Sequence, residues 1–67
     1  MTPYIEETAW AERAAHAFPR DARVQLLFGD ILFDSGQEQE AHSAWRAALE
    51  AQPNSALAAQ RLANGKP

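Results

Sequence analysis

The chain contains no cysteine, which excludes disulfides, thiolate metal sites and a cysteine nucleophile. Positive charge is scarce: six Lys and Arg stand against nine Asp and Glu, for a formal charge of −3 and an isoelectric point near 5.1. Phosphate backbones are bound through clustered Lys and Arg, and the arginines here are dispersed along the chain, so no nucleic-acid partner is expected. No run approaches the roughly 18 apolar residues of a membrane helix, and no membrane partner is expected either. The opening Met1-Thr2-Pro3-Tyr4-Ile5-Glu6-Glu7 is acidic where a secretory or organellar signal is basic. A cytoplasmic location is the expectation.

Catalytic motifs are also missing. Gly29, Gly36 and Gly65 fall in no phosphate loop, dinucleotide fingerprint or nucleophile elbow; they read as a packing contact, a helix stop and a tail. His16 and His42 have no metal-ligand spacing, and His42, four residues after Glu38, reads as half of a local surface pair. Glu6, Glu7, Glu38 and Glu40 sit at helix starts, where the macrodipole favours acids. No catalytic, cofactor-binding or metal-binding residue is expected, and an enzyme is not.

What remains is helix. Hydrophobic residues make up 46% of the chain, many of them alanine, so a core must come from close helix approach more than from bulk. A chain of 67 residues is one domain, and at that length only about 60% of the unfolded surface is buried on folding. Punctuation predicts four helices, at about 3–18, 22–35, 37–51 and 55–64, with 65–67 as a flexible tail. Thr2 precedes Pro3 as a cap and first-turn proline, Asp21 caps the second helix, and Gly36 closes it. Pro19 and Pro53 follow the first and third helices, and Asn54 or Ser55 caps the fourth. Connections this short predict antiparallel neighbours.

One set of spacings is more specific. Gln25-x2-Phe28-Gly29-x2-Leu32, then Ala41-x3-Trp45, then Ala48 and Pro53 follow the offsets W-x2-L-G-x2-Y…A-x3-F…P of the tetratricopeptide repeat. The chain resembles that family over Glu7 to Ala63. Leu62-Ala63 recurs 34 residues after Phe28-Gly29, and Pro19 precedes Pro53 by the same period. Subtracting the period from Ala41, Trp45, Ala48 and Gln52 gives Glu7, Ala11, Ala14 and Phe18, three of which suit a packed face. The pattern corresponds to a second helix, one complete repeat and a further first helix. Gln25 stands where the family has a large aromatic. Glu7 replaces a small residue that is needed only against a preceding helix.

The resemblance implies an all-α, antiparallel superhelical fragment and a non-enzymatic protein–protein interaction module. Phe28, Gly29, Leu32, Ala41, Trp45, Ala48 and Pro53 are then the residues that define the fold. On the second helix Val24, Leu27, Phe28, Ile31 and Leu32 form one broad apolar face, and Leu26 and Phe33 lie nearly opposite with Asp30 between them. Leu26 and Phe33 either pack on the preceding helix or line a groove. In the family that groove is built from successive first helices, which implies a lining of Arg23, Leu26, Asp30, Phe33 and Asp34 with Leu57, Gln60, Arg61 and Asn64. Leu26 and Asp30 replace the lysine and asparagine with which the family's best-known groove clamps a terminal carboxylate. A peptide with a hydrophobic anchor and a basic residue fits better. Asp30 itself reads as a solvated mid-helix acid.

Trp10 lies off the packed face of the first helix, either as a partly buried terminal aromatic or as part of a self-association surface. Since repeat arrays need about three repeats to cover their faces, a homodimer is a second expectation. A homo-oligomerising structural element and a regulatory or docking fragment of a larger protein are the alternatives to a peptide-binding module.

Overall fold

A computed structural model describes residues 3–65, with side chains from Thr8 onward. The expected cap at Thr2, the tail at 66–67 and the Glu7 side chain lie outside that range. Four helices follow one another: α1 Pro3–Ala17, α2 Ala22–Asp34, α3 Glu38–Ala51 and α4 Ala56–Asn64. The described residues contain no strand. The expected helices agree to within a residue at each end, because the residues that cap them keep non-helical backbone angles. Asp21 is extended and its Oδ1 accepts from the N–H groups of Arg23 (3.0 Å) and Val24 (3.3 Å). Ser55, and not Asn54, caps α4, its Oγ accepting from the Ala58 N–H at 3.2 Å.

Glycine closes α2 as expected. Gly36 has φ +82°, and the bonds from Gly36 N–H to Phe33 C=O (3.0 Å) and from Gln37 N–H to Leu32 C=O (2.9 Å) form a Schellman motif. Gly65 is more than tail. It takes φ +74°, donates to the Arg61 carbonyl at 2.7 Å, and lies so close to Phe33 that an added Cβ would stand 3.6 Å from the ring.

The two turns that join α1 to α2 and α3 to α4 are the same turn. Phe18 N–H to Ala14 C=O, Asp21 N–H to Phe18 C=O and Gln25 N–H to Asp21 C=O recur as Gln52 to Ala48, Ser55 to Gln52 and Ala59 to Ser55. Helix ends Ala17 and Ala51, and helix starts Ala22 and Ala56, stand in the same relation. Each pair is separated by the repeat period read from the sequence.

Packing is strongest between helices adjacent in the chain, above all α2 on α3, then α1 on α2 and α3 on α4. The α2–α3 contact is built around Gly29. A Cβ there would overlap Cδ1 and Nε1 of Trp45 and stand 3.1 Å from the Ala41 carbonyl oxygen. Absence of a side chain at Gly29 is what lets the Cδ1–Nε1 side of the indole approach the α2 backbone. Trp45, Ala41 and Ala48 are fully enclosed; Trp45 and Ala41 form one cluster with Leu32 and Ala44, with Leu26, Phe28, Phe33 and Leu62 packed around it.

Three sequence expectations give way here. The buried line of α2 is Gln25, Gly29 and Leu32, with Val24, Phe28 and Ile31 half-buried beside it. Leu27, about 200° from Gln25 on the helical wheel, is instead exposed. On α1 the packed residues are Ala11 and Ala15, while Phe18 is 60% exposed. Phe18 has the place that Gln52 has after α3, one residue past the helix and outside the contact. His42 is half-buried, its ring 5.4 Å from that of Trp45, and so belongs to the edge of the core rather than to an open surface pair.

Candidate functional site

The residues expected to share one groove divide into three groups. Arg23, Leu26 and Leu57 do meet, in a cleft of about 360 Å³ between the start of α2 and the start of α4, walled also by Gln52, Asn54 and Ser55. Leu57, 52% exposed, is its free apolar side chain.

Asp30, Arg61 and Phe33 form the second group, and they are structural. Asp30 Oδ1 accepts from Trp45 Nε1 at 3.1 Å and from Arg61 Nε at 2.9 Å, and Oδ2 accepts from Arg61 Nη2 at 3.3 Å. The two charged side chains retain only 18% and 15% exposure. Asp30 is therefore not a solvated acid: it satisfies the one polar atom of an otherwise enclosed indole and anchors α4 across α2. Phe33 lies 5.6 Å from the Trp45 ring on one side and against Gly65 on the other. Its partners are α3 and the end of α4, neither an open groove nor the preceding helix. Asp34, Gln60 and Asn64 are exposed and lie outside the cleft.

A larger depression opens on the other side of α2. It holds about 680 Å³ and lies between α1 and α3. Phe28 and Leu32 of α2 form its floor with Ala15, Ala44 and Ala47; Thr8, Glu12 and His16 form one wall, and Glu40 and Ser43 the other. Glu12, Glu40 and Ser43 are exposed, so both rims are wet while the floor is apolar.

Gln25 sits at one end of this trough. Only 7% exposed, it donates from Nε2 to the carbonyls of Ala15 (3.2 Å) and Pro19 (3.3 Å). Ala15 belongs to the last turn of α1, whose carbonyls have no partner within the helix. A purely apolar side chain there could not bond them. The trough went unnoticed in the sequence because its walls come from polar positions on two helices that are not neighbours in the chain, and each position alone reads as ordinary surface.

Among the described residues no three of His, Asp and Glu are placed to hold a metal ion. No helix of the described residues is long and apolar enough to cross a membrane. Comparison with known proteins yields no match among family models, curated proteins or solved structures.

Proposed function

We propose that this chain is a tetratricopeptide-like helical-repeat element that serves as a non-enzymatic protein–protein interaction module in the cytoplasm. The observation that carries this reading is the recurrence of the α1–α2 turn, bond for bond, in the α3–α4 turn at the period of the sequence pattern. The Gly29–Ala41–Trp45 contact, at the positions where that family places its small and large residues, supports it further. In helical repeats each unit contacts only its neighbours, and extended surfaces are left for partners. Here those surfaces carry exposed Trp10, Phe18, Leu27 and Leu57.

The test is affinity capture by the tagged chain from cells that express it, in parallel with Leu57→Ser and Arg23→Glu. A partner retained by the wild type and lost with either variant supports the reading and locates it at the α2–α4 cleft. Capture of nothing beyond the chain itself opposes it.

A second reading is a homo-oligomerising element, favoured by the exposed Trp10 of α1 and Leu57 of α4 at opposite ends of the helix order. Sedimentation across micromolar to millimolar concentration separates the two. A dimer abolished by Trp10→Ser supports self-association, whereas a monomer throughout removes it.

A further inference from the structure

We infer that the trough between α1 and α3 is a docking site for an amphipathic helix of a partner protein, one whose apolar stripe is flanked on both sides by Lys or Arg. The inference rests on the interaction-module reading and names a surface and a partner chemistry for it.

The geometry of the trough sets the shape of the occupant. Short connections make α1 and α3 each antiparallel to α2, and hence roughly parallel to one another, with α2 beneath them. From Thr8 to His16 the wall runs about 12 Å at 1.5 Å per residue, enough for about two turns of a docked helix. A helix laid there would put its i, i+3, i+4 stripe onto Phe28 and Ala47, the half-buried residues of the floor, with Leu32 and Ala44 almost enclosed beneath them; this is the mode in which an amphipathic helix fills a groove between others.

The charge of the trough sets the chemistry. Its lining carries a carboxylate on each wall, Glu12 from α1 and Glu40 from α3, and neither Lys nor Arg. Arg20 lies next to the Pro19 end, in an adjoining depression that shares Pro19 and Ala47 with the trough and also holds Glu50. Lysine or arginine on both flanks of a docked apolar stripe would lay its methylenes along the walls and bring its charge to Glu12 on one side and Glu40 on the other. Acidic residues on those flanks would meet like charge from both walls. This is the flanking-charge logic by which paired helices select their partners.

The test is a heteronuclear NMR titration of the full chain with two designed amphipathic peptides of identical apolar pattern, one with Lys and one with Glu on the flanks. The Lys peptide is expected to shift the amides of Glu12, His16, Phe28, Glu40 and Ala44, with binding that weakens as salt is raised. Glu12→Lys combined with Glu40→Lys changes only exposed side chains, and is expected to lower affinity by about tenfold or more while leaving the spectrum folded. Equal binding of both peptides, or unchanged affinity in the double variant, overturns the inference. Shifts confined to Arg23, Leu26 and Leu57 overturn the trough but leave the interaction-module reading standing. Absence of any shift at millimolar Lys peptide also sinks the trough, and the capture experiment then decides the module reading independently.

Discussion

Asp30 and Arg61, 31 positions apart, share a hydrogen-bonded ion pair that also receives the indole N–H of Trp45, so one carboxylate ties α2 to both α3 and α4. With both charges mostly shielded, removing the carboxylate leaves a guanidinium and an indole N–H without their acceptor. Asp30→Ala is therefore expected to cost about 1–3 kcal/mol. In a domain of this size each kcal/mol lowers the thermal midpoint by roughly 4–8 °C. Asp30→Asn keeps one acceptor oxygen and should lose less. A double-mutant cycle with Arg61→Met, followed by circular dichroism, measures the coupling, and additive effects would show that the pair contributes nothing.

The glycines give a prediction whose sign opposes helix propensity. Alanine in a helix interior is favoured over glycine by about 0.8–1.0 kcal/mol. At Gly29, however, the new methyl overlaps Trp45 and presses on the Ala41 carbonyl. Overpacking of this kind costs about 1–3 kcal/mol, so Gly29→Ala should destabilise and Gly29→Leu should unfold the chain. Gly36→Ala meets no neighbour and should cost about 1–2 kcal/mol for the left-handed backbone alone. A Gly29→Ala protein more stable than wild type would mean that the indole does not rest on that backbone.

The four helices, the caps at Asp21, Gly36 and Ser55 and the Gly29–Ala41–Trp45 crossing were legible in the sequence, because each depends on local spacing or on a motif that encodes a contact. The Asp30–Arg61 pair was not. Its partners lie on α2 and α4, helices not adjacent in the chain, and neither residue type announces burial. Leu27 and Phe18 mislead for a related reason: helical periodicity says that a face is apolar, while the neighbouring helices decide which part of it is covered. Of the expected groove only the end at Arg23, Leu26 and Leu57 survives as an open cleft, since Phe33 and Asp30 are used to seat α4.

Gln25 allows a test of a buried polar residue that an apolar one cannot replace. Gln25→Met preserves length and volume but removes the donor to Ala15 and Pro19. The expected loss is about 1–3 kcal/mol, since the Ala15 carbonyl is left buried without a partner. Hydrogen exchange should rise mainly in α1, whose last turn is tied to α2 by this side chain. Unchanged exchange in α1 with unchanged midpoint would mean that water satisfies those carbonyls equally well.

The two equivalent caps should fail differently. Asp21 and Ser55 hold the same place in the repeated turn, and each accepts from the first turn of its helix. Replacing such a cap by alanine typically costs about 1 kcal/mol. Asp21 caps α2, which packs on both α1 and α3, so Asp21→Ala removes stability from the whole cooperative unit and should lower the thermal midpoint by roughly 4–8 °C. Ser55 caps α4, a helix of nine residues, shorter than the roughly 12–15 that persist alone in water. It is held chiefly by α3, the Arg61 ion pair and Leu62. Ser55→Ala should therefore loosen α4 locally, raising amide exchange from Ala58 to Asn64 while α2 and α3 stay protected and the midpoint moves less than with Asp21→Ala. If Ser55→Ala instead raises exchange equally in all four helices, α4 unfolds only with the rest of the chain, and the whole molecule is a single cooperative unit.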